Sequence, residues 1–503
     1  MAGAQRHLDF EARPGDGARL QHLQPDFPGH GPPGRGVLAP VGDGRADALV
    51  RAGRSVRDGS RSRLRAGMTA VDLRALDRVA GEAETLDNGL RVVLLPQNGA
   101  ESVVVALCYL AGSRDEKPDE CGLAHFLEHM MFKGSAAYEP GAIDRLTQGL
   151  GGTNNAFTSH DATLYHFQFE RGSWQEALRI ESDRMRGLSL LPAEVELERE
   201  VILEEIRMVE DDPWDALEQA VAGRVFGDHP YGRSVLGTRE SLRALDAGAL
   251  RSFHCRHYRP GRAVLVCAGG LPSDAMERVE AALGGELTGA GSGRPRASIG
   301  PPVFDPGRGG RVELRRGETP RLLIAHPAPG PDDPGYVHLR LALAVLCGGR
   351  SSRVQRDLVE EDPLALWASA AVTGHRLGGM ATLTAEAAPG VPPERLEEEL
   401  SVRIEALADR PPDAGELGRA KRILFADWVF MHEPIAERAM TAALEQALFR
   451  PGFSRDSFRA LADATGSEVA GACAAWLSAE TRVVGWSLPA ARSGAPGLLD
   501  HVD

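Results

Sequence analysis

The strongest constraint on how this chain can fold is a division within it. On either side of a Pro/Gly-rich break at residues 288–303, two blocks run through a similar succession of segments. The first block opens with "ETLDNGLRVVLLPQ", read as strand, Asn-Gly turn and strand, and continues with the β-branched strand "ESVVVALCYLAGS". The helix "GLAHFLEHMMF" and the short, glycine-ended helix "GAIDRLTQGLG" come next. In "TNNAFTSHDATLYHFQFE" Thr163, Tyr165, Phe167 and Phe169 alternate with their neighbours, as a strand requires. Three helical stretches follow, "SWQEALRIESDRMRGL", "PAEVELEREVILEEIRMVED" and "PWDALEQAVAGRVF", and the buried-looking strand of "YRPGRAVLVCAGG" closes the block.

The second block starts at "GGRVELRRGETPRLLIAHPAP", two strands around a turn. A helix over 334–347, further strands including 378–387, and helices to the end complete it. The shared order of strand pair, helix, strand and helices reads as a distant internal duplication. Strands and helices in segregated runs predict an α+β fold of two homologous α/β sandwich domains, not a regular βαβ repeat. The expected domains are 76–287 and 304–503, with 288–303 as the Pro/Gly linker.

Residues 1–67 stand apart. They hold 12 Gly and 6 Pro, with no sustained periodicity. Such a segment buries too little to offset its ordering entropy, so disorder is expected. Met68 then opens an ordinary sequence, so an extension created by a misassigned start is the other expectation. This segment contributes +4, which leaves −18 on the remaining 436 residues of a chain whose formal charge is −14. That balance argues against general nucleic-acid binding and points toward basic peptides as substrates. No run approaches the ~18 apolar residues of a membrane span, and no apolar core follows the N-terminus as in a secretory signal. A cytoplasmic, bacterial location is therefore expected. Six scattered cysteines without a close pair are expected to be reduced thiols.

The chemistry is concentrated in "AHFLEHMMF", residues 124–132. On a helix His125 and His129 share one face, with Glu128 on the adjoining flank. Two imidazoles so placed can present nitrogens to one zinc ion, and the carboxylate can take a proton from water and pass it to a leaving amine. The same residues also suit two partly buried histidines beside a surface glutamate. A zinc site needs a third protein ligand. The acidic helix around 192–211 offers Glu198 and Glu205, seven apart and so on one face, and its periodicity does not choose between them.

Four stretches in order, "GLAHFLEHMMFKGS", "GGTNNAFTSHDATLYHF", "EREVILEEIRMVEDDP" and "HPYGRSVLGTRESL", resemble the inverzincin family M16. That family includes pitrilysin, insulin-degrading enzyme and the mitochondrial processing peptidase β subunit, and the resemblance covers about residues 85–500. It implies a zinc metalloendopeptidase with one Zn2+ per chain, held by His125, His129 and Glu205, with Glu128 as general base. It also implies that Glu198 orients a ligand histidine. An extended peptide would add to a sheet edge at Asn155, Ala156 and Phe157.

One part of the family pattern is missing. Complete members carry an arginine and a tyrosine, seven positions apart, that bind substrate and stabilise the developing oxyanion. Here Val359 and Leu366 occupy those positions in "DLVEEDPLALWAS". The resemblance therefore implies a heterodimer in which a related subunit supplies the Arg/Tyr pair. The alternative is a non-catalytic, peptide-holding or assembly subunit of the same fold.

Overall fold

The computed structural model describes residues 81–286, 299–304 and 309–489. The expectations for residues 1–67, and for most of 288–303, lie outside these residues. The described chain forms two mixed sheets. The first contains β1 (Glu84–Thr85), β2 (Arg91–Pro96), β3 (Ser102–Tyr109), β4 (Thr153–Thr158), β5 (Thr163–Glu170) and β6 (Ala263–Gly269), in the order β1-β2-β6-β3-β5-β4. The second contains β7 (Gly310–Arg315), β8 (Arg321–Ala328), β9 (Ala365–His375), β10 (Gly378–Ala387) and β11 (Val483–Leu488), in the order β7-β11-β8-β10-β9.

The two topologies correspond strand for strand once β1 is set aside. In each sheet the last strand inserts between the first two long ones, parallel to one (β2 with β6, β7 with β11) and antiparallel to the other. The strands of "GGRVELRRGETPRLLIAHPAP" are thus separated by β11 and do not form a hairpin. The expectation of helices to the end of the chain is also corrected, because "VVGWSL" is β11. Its residues are buried on both faces except at the last position, so it lacks the alternation that marks a half-exposed strand.

The helices are α1 (Leu123–Met130), α2 (Ala142–Gly149), α3 (Gln175–Arg186), α4 (Pro192–Asp211), α5 (Pro213–Phe226), α6 (Arg239–Ala244), α7 (Ala247–His257) and α8 (Ala275–Leu283) in the first half. The second half contributes α9 (Pro334–Cys347), α10 (Pro393–Asp409), α11 (Ala414–Met431), α12 (Ile435–Leu448), α13 (Phe453–Asp463) and α14 (Gly466–Trp476). On one face of the first sheet, Val103, Val105, Leu107 and Tyr109 of β3 pack with side chains of α1, α3, α4, α7 and α8. The alternate residues Val104, Ala106 and Cys108 point to the other face.

That other face is covered from the opposite half of the chain. Ala439, Ala442, Ala443, Leu444 and Ala447 of α12 lie on it. Small side chains let the helix approach closely, and Arg91 donates to the Gln446 carbonyl oxygen (2.6 Å). The exchange is reciprocal: Leu217, Val221, Val225 and Phe226 of α5 pack on Leu323, Ala325 and Val483 of the second sheet. Local chemistry turns the chain between the two tasks. Pro213 cannot continue α4, and the Asp212 side chain accepts the N–H groups of Trp214 (2.7 Å) and Asp215 (3.1 Å), starting α5 in a new direction.

The close approach of α5 to the second sheet depends on Gly485. A Cβ at that position would lie 2.6 Å from Val221 Cγ2 and 3.0 Å from Leu217 Cδ1. Gly485→Val is expected to destabilise the protein by about 1–3 kcal/mol through overpacking, read as a lower denaturation midpoint with the fold retained. Among the described residues no helix is long and apolar enough to cross a membrane. All six cysteines are free thiols.

Candidate metal centre

Helix α1 is only eight residues long and nearly all buried, so its position is set by what holds its ends and flanks. Its first N–H groups have no partner within the helix. The Glu116 carboxylate accepts those of Gly122 (3.0 Å) and Ala124 (2.7 Å). Burial pushes the Glu116 pKa up to about 8, against the lowering effect of those two donors. The helix packs between the sheet and α4, which brings its polar residues to those of the acidic helix.

His125, His129 and Glu205 converge there, with one potential ligand atom from each lying within 4.8 Å of the others. Glu205 Oε2 stands 3.8 Å from His125 Nε2 and 3.6 Å from His129 Nε2. It is buried with no hydrogen-bond partner among the described residues. A tetrahedral zinc ion with bonds of about 2.0–2.1 Å separates its ligand atoms by roughly 3.3–3.4 Å, and the two Glu205 distances are a few tenths of an ångström wider, within reach of small side-chain rotations. Two imidazoles and a carboxylate are also a donor set that zinc accepts.

Glu198 occupies a different place from Glu205. Its Oε1 lies 2.8 Å from His129 Nδ1, and its Oε2 lies 2.7 Å from Lys133 Nζ. Burial opposes ionisation of Glu198, but its bonds to His129 and Lys133 outweigh that and hold its pKa below the usual value. When His129 is neutral, an ionised Glu198 accepts its Nδ1 proton, which leaves Nε2 with a lone pair on the side of Glu205. Burial of the His129 ring likewise disfavours its charge, but the bond to Glu198 and the nearby carboxylates of Glu205 and Glu128 raise its pKa overall.

Glu128 is nearly completely buried beside this cluster and accepts a hydrogen bond from Thr158 Oγ1 (2.6 Å). Burial raises its pKa to about 7, helped by Glu205 and opposed by the Thr158 bond and by His129.

Thr158 ends β4, the outer strand of the first sheet. Asn155, Ala156 and Phe157 precede it on the same free edge, but their side chains separate. Ala156 packs toward the core shared with α1, and Phe157 toward the face covered by α12. Asn155 Oδ1 accepts the Ala156 N–H (2.9 Å), so a peptide strand pairing at that N–H must displace the amide.

In the second half, Val359 lies in the helical turn Gln355–Glu361, partly buried against its core. Leu366 lies on β9 and is half-exposed. Neither side chain carries a hydrogen-bond donor.

Three contributors escaped the sequence reading: Thr158, Lys133 and Glu116. Lys133 had a signal, since it follows His129 by one helical turn. Thr158 and Glu116 had none, because their partners lie on other segments.

Residues 91–239 match the family model described as insulinase (peptidase family M16), and residues 244–424 match the model described as the peptidase M16 inactive domain. An uncharacterized zinc protease of Mycobacterium leprae is 34% identical over 326 residues, 64% of this chain and 72% of the relative. Among solved structures, a protease from Helicobacter pylori superposes with a TM-score of 0.74 at 23% identity, over 81% of this chain and 99% of that one. Pitrilysin superposes with a TM-score of 0.67 at 19% identity, over 81% of this chain but only 45% of its own.

Proposed function

The chain belongs to peptidase family M16, and from that premise we propose that it is the zinc-bearing subunit of a metalloendopeptidase acting on peptides or unfolded segments. The observation that carries this reading is the convergence of His125, His129 and Glu205, with the buried carboxyl of Glu128 beside them. In the proposed roles the first three hold one Zn2+ and Glu198 keeps His129 in the ligating tautomer. Zinc, when bound, acidifies water and polarises the scissile carbonyl.

Glu128 takes the proton of the attacking water and returns it to the departing amine. A carboxyl whose pKa is raised toward neutrality by burial is suited to both transfers. Thr158 orients that carboxyl through its hydroxyl. The substrate lies as an added strand on the free edge of β4 at Asn155, Ala156 and Phe157, which fixes its backbone and leaves side-chain choice loose.

The metal assignments are tested on the purified chain without any activity measurement. Wild type is expected to hold one zinc per chain, and Glu205→Ala to lose it. Glu198→Ala is expected to bind zinc about 10–100-fold more weakly in chelator competition, because it orients a ligand without being one. Unchanged affinity in Glu205→Ala would remove that residue from the ligand set.

The absence of donors at Val359 and Leu366 supports a heterodimer. In this reading a related M16 subunit brings an Arg/Tyr pair to the same substrate. Each lost oxyanion donor costs about 10²–10³ in turnover. The isolated chain should therefore hydrolyse a fluorogenic peptide at least ~10²-fold more slowly than the reconstituted pair. Full activity of the chain alone contradicts the heterodimer. The same missing donors favour a second reading, a peptide-holding subunit, which predicts peptide binding without turnover even with the partner present.

A further inference from the structure

The proposed roles leave unused a buried polar knot where the two halves of the chain meet. Its centre is Asp161, in the loop between β4 and β5, which is 4% exposed. Asp161 Oδ1 accepts from the Tyr231 hydroxyl (2.8 Å) and lies 2.6 Å from Arg114 Nη1. Asp161 Oδ2 accepts the backbone N–H of Arg376 (2.8 Å), and the Tyr231 oxygen accepts that of Leu377 (3.2 Å). Arg376 and Leu377 are the two residues that turn β9 into β10 in the second half. Two consecutive main-chain donors of that turn are thus held by two side chains of the first half. The rings seal the contact: His375 lies 4.4 Å from Tyr231 and 4.8 Å from His160 between centroids.

From this knot two short connections run to the metal centre. Thr158, the last residue of β4 and three residues before Asp161, donates to Glu128. On the other side, Arg114 belongs to the segment that carries Glu116, the carboxylate at the start of α1. The segment and the loop are joined along their backbones, with Ser113 N–H donating to Ser159 O and Arg114 N–H to His160 O (both 3.1 Å). They fit closely enough that a Cβ on Gly112 would lie 2.4 Å from Ser159 O.

We infer that Asp161 and Tyr231 form a clasp through which the second half positions Glu128, with Asp161 acting as a positioning residue through Thr158. This deepens the proposed function, since it rests on Glu128 being the proton-transfer group. It also gives the half without metal ligands a task inside its own chain, separate from any partner. A loop tied at Asp161 to another body holds the Thr158 hydroxyl at one orientation. Released, the loop lets that hydroxyl and the Glu128 carboxyl sample positions that are unproductive.

The test is a double-mutant cycle in the full chain with its partner, using Asp161→Asn and Thr158→Val. Asp161→Asn removes the charge that lies beside Arg114 Nη1 at nearly unchanged side-chain volume. Each single variant is expected to lower kcat about tenfold with KM changed less than twofold and zinc content unchanged. The double variant should lose no more than about 20-fold. A purely structural role would make the effects independent, so a ~100-fold loss in the double variant overturns the inference.

Hydrogen–deuterium exchange provides a readout that does not depend on activity. Asp161→Asn should speed exchange both at the 375–378 turn and in the loop that follows Thr158. Faster exchange at the turn alone refutes the coupling. If the wild-type pair proves inactive, the proposed function fails while exchange still decides whether the clasp acts on the loop.

Discussion

Glu128→Gln is expected to lower peptide hydrolysis by about 10³-fold or more while leaving one zinc bound per chain. Glutamine has nearly the same shape and can still accept from the Thr158 hydroxyl, which donates to Glu128 across 2.6 Å. It cannot take up a proton at neutral pH. General acid–base catalysis contributes typically 10²–10⁴-fold, and here one carboxyl is proposed to serve in both directions. The three proposed ligands are separate side chains, so metal content should not follow activity downward.

The measurement is kcat and kcat/KM on a fluorogenic peptide with the partner subunit present, alongside zinc per chain. Residual turnover within tenfold of wild type would exclude Glu128 as the base. Loss of zinc together with activity would instead place Glu128 in the ligand set.

The second large effect concerns folding. A chain ending at residue 286 is expected to aggregate or remain unfolded, although it contains the first sheet and all three proposed metal ligands. One face of that sheet presents Val93, Val104, Ala106, Cys108, Leu164, Val264, Val266 and Ala268, all buried in one cluster with the side chains of α12. Removing the helix exposes a contiguous apolar surface, the kind that drives association of partly folded chains. It also leaves α5 without its seat on Leu323, Ala325 and Val483.

A milder form of the same experiment is Ala443→Glu, which puts a carboxylate into the dry contact between α12 and the first sheet. It is expected to cost roughly 3 kcal/mol or more. Circular dichroism and size-exclusion chromatography of both variants provide the check. A monomeric, cooperatively melting chain ending at residue 286 would show that the exchanged helices are not required for folding. Co-expression of the two halves as separate chains should restore soluble complex, because the missing contacts are non-covalent.

The same cross-over explains which parts of the fold were legible beforehand. Strands with one exposed face, or with a turn signal beside them, were visible from local pattern, as Thr163–Glu170 was by alternation. Val483–Leu488 was not visible, because the helix α5 that covers its second face is more than 250 residues away in sequence. A strand buried on both sides by remote elements has no period of two. The same remoteness hid the insertion of β6 between β2 and β3 and of β11 between β7 and β8, since strand order is a property of pairing and not of composition.

At the site, the sequence by itself determined the i, i+4 pair His125 and His129, the adjacent Glu128, and a stripe in which Glu198 and Glu205 were equivalent. A helix repeats every 3.6 residues, so spacing alone establishes a shared face. Tertiary structure gave the two glutamates different surroundings, through the crossing of α4 against α1. That crossing sets Glu205 against both Nε2 atoms and Glu198 against Nδ1 of His129. It also supplied Thr158, Lys133 and Glu116 around the cluster and the tie at Asp161 to the other half. Hydrogen bonds and charge pairs between distant segments depend on distances of a few ångströms, and no local periodicity records those distances.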